Sequence, residues 1–133
     1  MSRAMRGFTL IELLIAIVVV GILMSIAVAG YGTAMQKTRR GAAQACLMEA
    51  AQFMERFRTT NMTYAGAAPD PQCANDLAGF YTFGFNGTPD ADEFEIQAVP
   101  QGSQADDTQC GTLSLDQAGT KGATGTAGPV GCW

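Results

Sequence analysis

The sequence predicts an α+β chain: a long N-terminal helix with a hydrophobic first half, packed in its second half by a C-terminal antiparallel sheet of three to four strands. Three observations carry this. Between Phe8 and Gln36 the only charged side chain is Glu12. Residues 37–59 contain no proline and place apolar side chains at helical spacing. Beyond residue 80, three short segments alternate apolar with polar residues, as half-buried strands do.

The first element is a short basic leader, Arg3 and Arg6 ending in Gly7. The apolar run over residues 13–29 is broken only by Ser25 and Gly21. With its flanks it exceeds the roughly 20 residues a helix needs to cross a bilayer. A secretory signal has a shorter apolar core followed by a small-residue cleavage site. Here the small residue, Gly7, comes first, so cleavage there leaves the hydrophobic segment on the mature chain. Lys37, Arg39 and Arg40 make the far flank basic too, so flanking charge votes only weakly on orientation.

The helical pattern continues past the apolar run. Leu47, Ala50, Met54 and Phe57, with Ala43 and Phe53 alongside, form one apolar stripe. Arg39, Arg40, Gln52, Glu55, Arg56 and Arg58 mostly occupy other faces, which reads as a solvated or juxtamembrane surface. One helix over residues 9–59 would be about 75 Å long at roughly 1.5 Å per residue, too long to bury in one small domain. Gly21, Gly30 and Gly32 interrupt it, each at a cost of roughly 1 kcal/mol relative to alanine. They serve either close helix packing or local melting.

Residues 61–75 read as a loop around Gly66 and Pro69-Asp70-Pro71. Strands are expected over 80–85, 93–99 and 111–115, with a turn at Asn86-Gly87-Thr88-Pro89-Asp90 and a meander covering the helix stripe. The tail over 119–131, rich in Gly, Thr and Ala, is expected to be irregular, with Trp133 packing on the sheet.

Cys46, Cys73, Cys110 and Cys132 lack the paired spacing of a zinc or redox site, and the chain has no histidine. Four cysteines in a small exported domain more often form disulfides. The favoured pairing is Cys46–Cys73 with Cys110–Cys132, each worth roughly 3–4 kcal/mol by loop-closure entropy; the other two connectivities stay open. Disulfides place the residues after about Gly41 outside the cytoplasm and so orient the chain with its leader inside.

The chemistry of the remaining residues excludes more than it offers. Serine and cysteine nucleophiles have no histidine partner, so no enzyme is expected. Asp90, Asp92 and Glu93 do not follow a calcium-loop pattern and read as a solvated turn; no metal or cofactor is expected. Formal net charge is −4, and loss of residues 1–7 removes Arg3 and Arg6 to leave about −6. That argues against a broad electrostatic footprint for nucleic acid. A local basic patch among Lys37, Arg39, Arg40, Arg56 and Arg58 stays open.

Arg6-Gly7-Phe8-Thr9-Leu10-Ile11-Glu12-Leu13 resembles the processing site of type IV prepilins. The resemblance implies that a prepilin peptidase cuts between Gly7 and Phe8 and methylates the new amino terminus of Phe8. It places Glu12 at the family's acidic position. Many major pilins carry a proline in the apolar helix, and this chain has none. The segments Gln52-Phe53-Met54-Glu55-Arg56-Phe57, followed by Thr60-Asn61, Cys110-Gly111-Thr112-Leu113-Ser114-Leu115-Asp116-Gln117-Ala118-Gly119-Thr120-Lys121-Gly122-Ala123 and Gly131-Cys132-Trp133 are similar to the PilE-type minor pilins. The implied division is residues 1–7 as cleaved leader, 8–36 as membrane and filament-core helix, and 37–133 as a periplasmic or extracellular head.

The function implied by the resemblance is that of a structural subunit of a type IV pilus. Such a subunit waits in the inner membrane as a single-pass protein and is extracted by an assembly platform. In the fibre it contacts other pilin subunits through its N-terminal helix. The implied roles of the whole machine are twitching motility, surface adhesion and DNA uptake, with contact to nucleic acid unproven for this subunit. A carboxylate in hydrocarbon costs roughly 2.5–3.5 kcal/mol on insertion scales. Glu12 therefore needs a partner, and the Phe8 amine of a neighbouring subunit supplies one that sets axial register. Two other readings remain: a pseudopilin of a type II secretion system, which shares the leader and helix, and a membrane-anchored binding protein that never polymerises.

Overall fold

The computed structural model describes residues 7–133. Helix α1 runs unbroken over Leu10–Asn61, 52 residues, through Gly21, Gly30 and Gly32 and also Gly41. Its end is defined by side chains that fold back on the last turn. Thr59 and Thr60 hydroxyls donate to the Glu55 and Arg56 carbonyls, and the Asn61 amide donates to the Phe57 carbonyl. Met62 then turns the chain in the left-handed region, φ 59°, where an αL cap stops a helix.

The chain divides into two compact units, one ending at Met35 and one beginning at Gln36. In the first, every described residue through Ala34 is exposed. This part of α1 is long and apolar enough to cross a membrane.

The second unit holds the head. Helix α2 (Gln72–Asp76) stands at the end of the expected loop, reaching one residue past it, and carries Cys73. Strands β1 (Tyr81–Phe85), β2 (Glu95–Pro100), β3 (Leu113–Asp116) and β4 (Lys121–Ala123) form one antiparallel meander in the order β1-β2-β3-β4. A 3₁₀ turn spans Gly102–Gln104, and helix α3 (Gly128–Cys132) ends the chain.

The expected strands start late, for local reasons. Phe80 belongs to a turn in which the Leu77 carbonyl accepts from both the Phe80 and Tyr81 amides. The Asp90 carboxylate captures the Asp92 and Glu93 amides at 2.8 Å, and the Phe94 amide donates to the Gln117 side chain. Gly111 turns at φ 60° before β3 begins. Pro100 closes β2 beyond Ala98, the last β2 residue paired with β3, so its missing N–H removes no ladder bond there.

The tail departs from the expected irregular chain. Residues 121–123 pair with β3 in the register Leu113↔Ala123, and the next turn is sewn back by Gly125 and Ala127 amides donating to Cys110 and Gln109 carbonyls. Glycine and threonine gave no alternation to read, so backbone pairing rather than side-chain pattern builds β4.

The core lies between the helix stripe and one sheet face. Ala43, Cys46, Leu47, Ala50 and Met54 meet Tyr81, Ile96, Ala98, Leu113 and Leu115, with Phe94 and Tyr64 stacked edge-on at 4.8 Å. Phe53, expected beside the stripe, is exposed, and Phe57 is half-buried. The sheet covers the arc from Ala43 to Met54 and does not reach round to Phe53.

Candidate functional site

Gly7, Phe8 and Thr9 precede the helix without regular secondary structure. Thr9 fixes where α1 begins. Its hydroxyl accepts from the Glu12 backbone N–H at 3.3 Å, and its carbonyl accepts from the Leu13 N–H at 3.2 Å. Thr9-Leu10-Ile11-Glu12 therefore reads as a capping-box sequence, threonine at the N-cap and glutamate three residues on. Glu12 also stands in the first turn, where its charge complements the positive end of the helix dipole.

Around that carboxylate the surface is apolar. Phe8 and Leu10 are each 85% exposed, and Ile11, Leu13, Leu14 and Ile15 are all above half exposed. Among the described residues Glu12 forms no ion pair. An uncovered apolar helix with one charge near its start can do one thing well: enter lipid or pack against like helices, provided the charge finds a mate. Arg3 and Arg6 lie outside the described residues.

All four cysteines are paired, Cys46 with Cys73 and Cys110 with Cys132. The first ties α1 to α2; the second ties the chain before β3 to the C-terminus. Trp133 packs half-buried on β4, its indole N–H donating to the Gly122 carbonyl at 2.8 Å while the Lys121 ammonium sits 5.3 Å from the ring.

The arginines expected on a solvated face are mostly built into the head. Arg40 clamps Asp107 with two bonds. Arg39 lies over the Phe80 ring at 3.7 Å and donates to the Ser103 hydroxyl. Arg58 pairs with Asp92 at 2.8 Å and donates to the Tyr64 hydroxyl, which itself donates to Glu55. Burial pushes the Tyr64 phenol above its ordinary range, the Arg58 bond opposing. Lys37 and Arg56 remain on the exposed surface.

A buried polar cluster had no signature in the sequence. The fully buried Gln104 amide donates to the Gln36 carbonyl, the Tyr81 hydroxyl and the Asp107 carboxylate. Its members come from three separate segments, α1, β1 and the loop over 102–107, and only the fold brings them together. The Asp90 turn holds its carboxyl below the usual range through two backbone N–H donors. No metal-holding group of His, Cys, Asp and Glu occurs among the described residues.

Residues 29–114 match the family described as type IV minor pilin ComP, DNA uptake sequence receptor, and residues 2–28 match the prokaryotic N-terminal methylation motif. Among solved structures, the chain is similar to the non-core minor pilin PilV of Neisseria meningitidis, with 25% identity over 68% of this chain and 88% of that one, TM-score 0.53. It is also similar to a type IV pilin from Shewanella oneidensis, with 34% identity over 74% of this chain and 97% of that one, TM-score 0.51. No curated protein matches it.

Proposed function

This chain belongs to the type IV minor pilin family, and on that premise we propose that it is a membrane-stored subunit that enters a pilus through residues 8–36. The observation that carries the proposal is the pairing of an uncovered apolar helix, capped by Thr9 and bearing only Glu12, with a disulfide-tied head. Prepilin peptidase cuts between Gly7 and Phe8 and methylates Phe8. That bond precedes the helix, in chain without regular secondary structure. The head folds on the oxidising side of the inner membrane, consistent with two disulfides.

Lipid is as apolar as the helix, so transfer from bilayer to fibre gains little from hydrophobicity itself. Selectivity then rests on packing and on relieving the Glu12 charge. The cationic Phe8 terminus of a neighbouring subunit pairs with Glu12 and sets the axial step. Motility and surface attachment belong to the assembled fibre. The deciding experiment is mass spectrometry of sheared surface fibres. The expected result is a mature chain beginning at methylated Phe8, present at low stoichiometry; an unprocessed chain absent from the fibres overturns the reading.

The matched family's description supports a second reading, contact with DNA during uptake. The head from residue 36 onward carries six Lys and Arg against eleven Asp and Glu. Arg40 and Arg58 are held in ion pairs and Arg39 lies over Phe80. Any DNA contact by this subunit would therefore rest on few phosphate pairs around Lys37, Arg56 and Lys121. Binding of duplex DNA across a salt series tests this. A slope of log affinity against log salt shallower than about −3 fits three contacts, and a much steeper one overturns the argument.

A further inference from the structure

The sheet has one open edge with a slot beside it. The amide of Gln101 donates to the Phe80 carbonyl and the amide of Asn86 donates to the Glu95 carbonyl. In an antiparallel ladder the bonding residues alternate. With the register Thr82↔Val99 and Gly84↔Gln97, residues 80, 82, 84 and 86 therefore face β2. The N–H and C=O groups of Phe83 and Phe85 face the other way, along the free edge of β1. The outward amide of Tyr81 is taken by the Leu77 carbonyl, so the open stretch begins after it.

Along this stretch runs a groove of about 310 Å³. Its floor is Leu47, Ala50 and Ile96, and its far wall is the 67–71 segment with Pro69 and Pro71. Phe83 and Phe85 share the inward face of β1 with Tyr81, yet both stay half-exposed because the groove stands beside them. Asp70 is the one charged side chain lining it, and its carboxylate is exposed.

We propose that this groove is a docking slot for an extended, cationic segment of a partner protein, which adds to the sheet as a fifth strand beside β1. The hydrogen-bonding edge calls for backbone. A strand sits roughly 4.8 Å from its neighbour, and its alternate side chains would point down onto the apolar floor. The opposite set would face out, where a Lys or Arg meets Asp70. The charge of the head favours the same choice of occupant, since its carboxylates outnumber its cations. β-strand addition of this kind draws affinity from main-chain bonds and specificity from alternate side-chain pockets.

The probe is a short end-blocked peptide alternating valine and lysine, titrated onto the full chain in detergent micelles. Binding is expected, weakened about tenfold or more in Phe83→Pro, which removes an outward N–H while leaving the bonds to β2 in place. Because a proline variant can misfold, Ala68→Trp serves as a second variant. It projects a ring into the groove from the exposed wall and should abolish binding with both disulfides intact. The same peptide N-methylated on alternate amides should not bind. Equal binding of the methylated peptide would assign the groove to a small apolar ligand instead. Self-association without peptide binding would assign the edge to a second copy. Either result overturns the proposal, as does full affinity in Ala68→Trp.

Discussion

Arg40 grips Asp107 through both carboxylate oxygens, Nε donating at 2.9 Å and Nη2 at 2.8 Å, with the Asp107 side chain 3% exposed and that of Arg40 13%. The two are 67 positions apart and join α1 to the segment before β3. Removing one partner of a buried pair strands the other charge, so Asp107→Ala should cost about 3–5 kcal/mol, whereas replacing both by apolar residues of similar volume should cost much less. Chemical denaturation of the two variants checks this; equal losses would mean the pair matters only through volume.

The two disulfides close loops of similar length, 27 and 22 residues of separation, so loop entropy alone predicts similar losses of about 2–5 kcal/mol on removal. Their local consequences differ. Cys110–Cys132 holds the segment that carries Trp133 against Gly122. Replacing Cys110 and Cys132 by serine should therefore shift Trp133 fluorescence to the red under native conditions. Replacing Cys46 and Cys73 should leave that emission in place until the head unfolds.

Gly125 gives a sharper test of the tail. A Cβ built there meets the peptide between Gln109 and Cys110, which is backbone and cannot swing away. Gly125→Ala should cost about 1–3 kcal/mol as an overpacked contact. Gly84→Ala on β1, where a Cβ meets nothing, is the matched control. A thermal melt in which the two variants lose equally would rule out the clash as the cause.

Much of this head is legible in the sequence. Period-two alternation at Phe94, Ile96 and Ala98 and at Leu113 and Leu115 points to the inner face of the sheet, and spacing along Leu47, Ala50 and Met54 points to the helix stripe. The observed disulfide pairing is also the favoured one. β4, α2 and α3 are not legible, since three to five residues are too few for a period to show. Glycine- and threonine-rich chain also pairs through backbone that leaves no pattern. The arginines mislead for a different reason. Position on a helix face says where a side chain starts, not where a long flexible one ends. Arg39 and Arg40 reach back to Phe80 and Asp107, partners fixed only by the turn before β1 and by the loop over 102–107.

Burial of Tyr81 holds its phenol above its ordinary value of 10.0, with the Gln104 bond opposing and the Asp107 charge adding. A raised folded-state pKa contributes stability that is complete below the unfolded value and lost as pH climbs through the folded one. The melting temperature should therefore fall as pH rises beyond 10.0. Tyr81→Phe should start lower, having lost the bond from Gln104, and then fall less steeply over the same window. Melts across alkaline pH distinguish this from a general loss, which would leave the two slopes parallel.

Glu12 separates helix formation from assembly. The bond that caps α1 runs from the Glu12 backbone N–H to the Thr9 hydroxyl, so a change of side chain leaves the donor in place. Glu12→Ala should therefore keep the helix start and membrane insertion, and insertion should improve, because a carboxylate in hydrocarbon is costly. What it removes is the mate for the Phe8 terminus of the next subunit. Incorporation into sheared fibres should drop at least about tenfold, the equivalent of ~1.4 kcal/mol, while the membrane pool rises. Glu12→Gln keeps size and hydrogen bonding but not charge, and should fail nearly as badly. Thr9→Ala reverses the pattern: it loses the cap, worth about 1 kcal/mol, and keeps the charge, so subunits should still enter fibres. If Glu12→Ala assembled like wild type while Thr9→Ala did not, the helix start rather than the ion pair would govern entry.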